Sequence, residues 1–299
     1  MSPSSSAPST PAPGASPAGR SAPALSDAAL WSRLRPALVV VLTAAVVGVP
    51  LWLVVVTAAK SRGEALSPDL SLPGRWLLLE NLGEVWNAGR VPAALLGSLL
   101  VVAPAVAGVL VFGSMAAWIL ARRVTRFTAV LYALAISGIV LPPAVVTMVL
   151  LLRHLGLAGS AAGMIGVYMG IYMSTVIFFV TGFVRTIPSS LEEAAQMDGA
   201  SPAQVFRLVV LPLLRPVLAT ATILVCLYVW NDVFYAFFVV GGRLDTLPLN
   251  LFRVAGAGLH LNNWHLIFAY VLLMSLPLVV VLAVAQRRII SGITGGAVK

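Results

Sequence analysis

The sequence predicts an all-α integral membrane protein with six transmembrane helices and a cytoplasmic helix-turn-helix loop between spans 4 and 5. Three observations carry that prediction. Of 299 residues, 60% are hydrophobic and 10% charged, with a mean hydropathy of +0.99, whereas a soluble domain is about a quarter charged. Six apolar runs are long enough to be spans, which need about 20 such residues each. One polar island, Pro188 to Pro216, lies between two of them and holds Glu192, Glu193 and Asp198, three of the ten acidic residues.

Composition also excludes other classes. The net charge of +9 is spread through short loops and not gathered on one face, so it sets membrane topology and does not point to nucleic acid. Cys226 is the single cysteine, which rules out an intrachain disulfide and a cysteine-rich metal cluster.

Residues 1–28 are Ser, Pro, Ala and Gly with almost no large apolar side chains. Such a tail buries too little surface to offset its ordering entropy, so disorder is expected there and a six-span domain over 29–299. The tail lacks the basic start and apolar core of a signal peptide. The six candidate spans are 37–59, 94–120, 127–152, 162–184, a fifth from Pro212 or Pro216 to Val240, and 266–285. Pro142 and Pro143 interrupt the third, a break tolerated where neighbours or a cavity satisfy the freed carbonyls. With the N-terminus inside, inner segments carry twelve basic residues and outer segments seven, so both termini and the polar island are expected to be cytoplasmic. Trp76 and Trp86 in the long first outer loop suit the membrane interface.

Local signals in the island are dense. Ser190 with Glu193 has the spacing of a capping box. Leu191, Ala194 and Ala195 share one helical face, and Gly199 suits a helix terminus because it accepts positive φ cheaply. Ser201, Pro202 and Gln204 then start a second helix, with Val205, Leu208 and Val209 as its apolar face. The product is a short helix, a glycine turn and a second helix leading into the span at Leu211 and Pro212. Acidic residues at the first helix start fit its dipole. A helix resting on headgroups is the alternative, but such helices are usually basic.

At this point the chain resembles the permeases of binding-protein-dependent ABC importers. Glu193-Ala194-Ala195, three residues, Gly199, nine residues, then Val209-Val210-Leu211-Pro212 is similar to their EAA loop, with valine where isoleucine is usual at 209. Trp230-Asn231-Asp232, Thr246-Leu247-Pro248 and the tail from Gly292 to Lys299 resemble the smaller permease of maltose-type sugar importers. The resemblance implies that Leu191, Glu192, Glu193, Ala194, Ala195, Asp198, Gly199, Leu211 and Pro212 form a coupling loop seated in a groove on an ATPase. It also implies a second homologous permease, two cytoplasmic ATP-binding subunits, an extracytoplasmic solute-binding protein and a sugar substrate. An importer permease for another solute, and more remotely a secondary transporter or membrane enzyme, stand as alternatives.

Other residues are weighed against plainer roles. Asp232 is the one acidic residue inside an expected span. With Trp230, Asn231 and Tyr235 it either lines a translocation path or makes a structural hydrogen bond. His154, His260 and His265 lie in outer loops or at span ends without cysteines or carboxylates at ligand spacing, so they are expected to be exposed and to bind no metal. Gly166 and Gly170 suit helix packing, within the chain or against a partner. The only lysines, Lys60 and Lys299, lie outside any phosphate-binding loop. No nucleophile–base pair suggests an enzyme. The expectation is therefore a transport subunit in the cell membrane with no cofactor of its own, ATP and Mg being held by the partners.

Overall fold

The computed structural model describes residues 27–141, 143–261 and 263–296, and side chains over 35–141, 143–256 and 263–283. Expectations for residues 1–26, for the side chain of His260 and for most of the C-terminal tail fall outside the described residues. No strand forms among the described residues. In order, the helices are α1 (Asp27–Thr43), a π turn (Ala44–Gly48), α2 (Val49–Ala59), a 3-10 turn (Glu64–Leu66), α3 (Leu78–Ala88), α4 (Val91–Arg122), α5 (Arg126–Val140), α6 (Val145–His154) and α7 (Ala161–Val184). The polar island supplies α8 (Ser190–Met197), α9 (Pro202–Gln204), a π turn (Val205–Val210) and α10 (Leu211–Leu213). Then follow α11 (Arg215–Trp230), α12 (Phe234–Val240), α13 (Leu247–Leu261) and α14 (Trp264–Gly296).

The described chain divides into two units, one up to Pro50 and one from Leu51 onward. In the first, Leu38 through Leu42 are all more than half exposed, a surface that suits lipid. Among the described residues, four helical stretches are long and apolar enough to cross a membrane: Arg35–Ala59, Val91–Arg122, Ala161–Val184 and Trp264–Ala283. Two bent pairs bring the total to six if each is one span. Arg126–Val140 and Val145–His154 meet at 114°, and Pro202–Leu213 meets Arg215–Trp230 at 77°. The first break falls where the Pro142–Pro143 pair was expected to interrupt the third span. The fifth span departs from expectation: α11 starts at Arg215 and ends at Trp230, and Asn231–Val233 leave the helix before α12.

In the second unit α4 is the central rod, packed most extensively on α7 and also on α11, α13, α3 and α5. Its sequence explains this. Ala105, Val109, Gly113, Ala117 and Ala121 recur every four residues, and all are buried. Small side chains at that spacing let two backbones approach closely without help from water. A Cβ on Gly113 would meet Val176 Cγ1 at 2.8 Å, and one on Gly108 would meet Met169 Sδ at 2.8 Å. Of the two packing roles expected for Gly166 and Gly170, the one within the chain does not form. A Cβ on either meets nothing within 4 Å, and both line an open apolar groove of about 520 Å³ beside α5 and α6.

The connection between α2 and α3 is tightly built. Lys60 is 1% exposed. Its ammonium pairs with Asp69 and donates to Ser71 Oγ at 3.0 Å, while Asn81 Nδ2 donates to Lys60 O at 3.0 Å.

Candidate coupling site

The helix-turn-helix forms from local chemistry. At its centre Gly199 has φ +84°, in the left-handed region. The Gly199 N–H bonds Gln196 O at 3.0 Å and the Ala200 N–H bonds Ala195 O at 3.0 Å. These two bonds are a Schellman cap that satisfies the last carbonyls of α8. The second helix starts as the sequence predicts. Ser201 N–H donates to Gln204 Oε1 at 2.8 Å and Gln204 N–H to Ser201 Oγ at 3.4 Å, with Pro202 just inside.

The first helix starts differently. Ser189, not Ser190, is the N-cap, and no side chain caps it. Ser189 already has helical φ −65° and ψ −25°, whereas a capping side chain needs an extended backbone to reach back. The Glu192 and Glu193 N–H groups bond Ser189 O at 2.9 and 3.0 Å. The expected Ser190–Glu193 box therefore does not form.

The faces of both helices differ from expectation as well. In α8, Leu191, Ala194 and Met197 are exposed, with Met197 at 88%, while Ala195 is half-buried against the core. In the second helix the π turn shifts the register. Val205 and Val210, five apart, are buried, and Leu208 is exposed. Glu193, Asp198 and Gly199 are exposed, and Leu211 and Pro212 are half-buried.

Glu192 is the main departure: it turns inward and is 5% exposed. Arg122 Nη2 lies 2.7 Å from Glu192 Oε1, and Trp118 Nε1 donates to Glu192 Oε2 at 2.9 Å. The Trp118 ring lies 5.4 Å from the ring of Phe206. One turn of α4 thus holds both helices of the insert. Neither Trp118 nor Arg122 stood out in the sequence, although their four-residue spacing at a span end places them on one face.

The second residue set is not one cluster. Trp230 is buried and donates from Nε1 to Met274 O at 3.3 Å. Asn231 is exposed, with Nδ2 bonded to Leu227 O at 2.8 Å. Asp232 takes a hydrogen bond from Tyr168 Oη at 2.8 Å and caps α12 through the Tyr235 and Ala236 N–H groups at 3.3 and 3.0 Å. It lies in the break after α11, so it is not an acid inside a continuous helix. Tyr172 stacks on Tyr228 at 5.8 Å with planes 2° apart, next to Tyr168. The sequence reading missed this aromatic group, because its members lie on α7 and α11, far apart in the chain. His265, expected to be exposed, is instead buried, and among the described residues no group of three or more His, Cys, Asp or Glu could hold a metal.

This is a polytopic helical membrane protein whose distinctive polar element is an external helix pair clasped to the end of a span. Comparison with known proteins places it further. Residues 109–295 match the family of binding-protein-dependent transport system inner membrane components, and the chain belongs to that family. It is 32% identical to the melibiose/raffinose/stachyose import permease protein MelC of Bacillus subtilis over 90% of this chain and 99% of the relative. It is 30% identical to the diacetylchitobiose uptake system permease protein NgcG of Streptomyces coelicolor over 86% of this chain and 85% of that one. A chain of a bacterial ABC transporter involved in the import of the acidic polysaccharide alginate shares the fold, with a TM-score of 0.74 at 21% identity, covering 88% of this chain and 97% of that one.

Proposed function

We propose that this chain is a permease subunit of an ATP-driven carbohydrate importer and forms half of its translocation path. The observation that carries the reading is the exposed α8 face, Leu191, Ala194 and Met197 beside Glu193 and Asp198, presented outside the spans by a Schellman turn. Two relatives named for import of oligosaccharides support the substrate class. In this reading α8 sits on the cytoplasmic side, in a groove of a separate ATPase that carries ATP and Mg. A second permease completes the path, and an extracytoplasmic binding protein delivers the sugar. Small Ala194 permits close approach, Glu193 lies at the rim, and Gly199 sets the angle of the two helices. Within the path, exposed Tyr228 and Asn231 are better placed than Trp230 and Asp232 to meet a sugar, because the latter two are engaged with their own chain.

Ala194→Asp and Gly199→Asp test the docking role. Each is expected to leave the permease folded in the membrane and to cut ATP-dependent oligosaccharide uptake about tenfold or more, because charge or backbone strain enters a packed interface. Uptake is measured in proteoliposomes holding the whole transporter. Wild-type uptake by both variants would reject α8 as the dock. Uptake of amino acids or phosphate in place of oligosaccharide would reject the substrate class.

A further inference from the structure

Glu192 and Glu193 are adjacent, yet only Glu193 is free to face a partner. The Glu192 carboxylate is fully engaged. Arg122 approaches Oε1 through Nε at 2.8 Å and Nη2 at 2.7 Å, and Trp118 Nε1 reaches Oε2 at 2.9 Å. The same Arg122 Nη2 donates to Ile187 O at 2.9 Å, just before α8. The side chains of Arg122 and Glu192 are 21% and 7% exposed. Charge-assisted bonds of this kind are short, directional and stronger than neutral ones. Through the Trp118–Phe206 ring contact, the last turn of α4 also holds the second helix of the insert.

The covalent route from the insert into the membrane is poorly suited to carry a push. It passes through the π turn Val205–Val210 and then bends by 77° between Leu213 and Arg215, with Pro212 and Pro216 on either side. Proline removes a backbone donor and prevents the helix from continuing straight. Movement of the insert along that route would be absorbed at the bend. In contrast α4 stays one helix of 32 residues through its internal Pro104, about 48 Å long at 1.5 Å per residue. That exceeds the roughly 30 Å hydrocarbon core, so its ends stand outside. Near its other end, Ser98 Oγ accepts a hydrogen bond from Leu247 N–H at 2.8 Å, and Gly97 lies against Asp245 O.

We propose that Glu192, Trp118 and Arg122 form the joint through which movement of α8 is transmitted to α4, and that α4, not the chain into α11, carries it across the membrane. Glu192 is then a positioning residue. It does not touch the ATPase; it fixes α8 on the rod whose far end holds the loop before α13. This inference rests on the reading of α8 as the dock.

The test uses the complete transporter, with Cys226→Ser as background. Spin labels at Gln196 in α8, Val124 just past α4, and Thr220 in α11, all exposed, report distances without nucleotide and with ATP trapped. In the otherwise unaltered protein the Gln196–Val124 distance is expected to stay constant while Gln196–Thr220 changes. In Glu192→Gln both distances change, the ATPase still copurifies, and sugar transported per ATP falls about tenfold, within the range by which single residues alter coupling. The double variant Glu192→Gln/Arg122→Gln regains part of the loss, because a neutral pair leaves no unpaired charge. A Gln196–Val124 distance that changes in the unaltered protein overturns the joint. So does wild-type sugar per ATP in Glu192→Gln, or loss of the ATPase on copurification. Ala194→Asp and Gly199→Asp separate the two readings: if both are silent, the dock fails whatever Glu192 does, whereas a defect in either beside a silent Glu192→Gln removes only the joint.

Discussion

Adjacent residues with the same chemistry acquire different roles because a helix turns about 100° per residue. Glu192 points to α4 and is consumed by an internal ion pair, while Glu193, one position on, is exposed. A similar division holds at the break after α11. Trp230 is buried against α14, and Asn231 next to it is exposed. In the connection between α2 and α3, hydrogen-bonding neighbours set the titration of Asp69. The hydrogen bond from Lys60, then those from Ser71, hold its carboxyl down to about 2 from 3.8. Because the folded pKa is depressed, the stabilisation it supplies is complete above about pH 4 and is lost as pH falls toward 2. Asp69 is 62% exposed on its side chain, so salt weakens the effect. Amide exchange of the 61–73 loop is expected to keep the same protection at pH 7 and pH 5, and Asp69→Asn to lose protection at pH 7. Equal protection in Asp69→Asn would show that the Lys60 contact does not order the loop.

At the scale of elements, the α4–α7 pair sets the frame. The four-residue stripe from Ala105 to Ala121 was legible in the sequence as part of an apolar run, but its partner was not. Gly166 and Gly170 looked equally suited to packing, yet they face an open groove. Spacing shows which residues share a face, and only the neighbour shows which face is used. Gly113 can be tested directly. Gly113→Leu places side-chain atoms where Val176 already lies. It is expected to cost about 1–3 kcal/mol, the usual penalty for overpacking a tight contact. Gly166→Leu faces open space and is expected to cost much less in the isolated chain. Thermal unfolding of the two variants in detergent checks this, and equal loss from both would contradict the assignment. The insert teaches the same lesson. Its glycine turn and second cap were predictable from neighbouring residues, whereas the π turn that exposes Leu208 was not, because backbone register there answers to burial of Val205 and Val210.

For the whole molecule, the apolar helices and the polar insert require opposite solvents, which fixes a membrane protein with one external helix pair. The excess of basic residues in the segments expected inside makes sidedness a testable expectation. It predicts that a cysteine at Val124, 90% exposed, is labelled by a membrane-impermeant thiol reagent only from the cytoplasmic face, and one at Leu72, 64% exposed, only from the outer face. The reverse pattern in sealed vesicles would invert the topology and remove the insert from reach of a cytoplasmic ATPase. By itself the sequence determined the membrane class, the apolar runs, the Gly199 turn and the motif from Glu193 to Pro212. Hydropathy and caps depend on residues close together in the chain. Only the tertiary structure decided that Glu192 faces Arg122, 70 positions away, that Asp232 answers Tyr168, and that α11 ends at Trp230. Those outcomes depend on which distant side chains burial brings within hydrogen-bonding reach, and no local pattern contains that information.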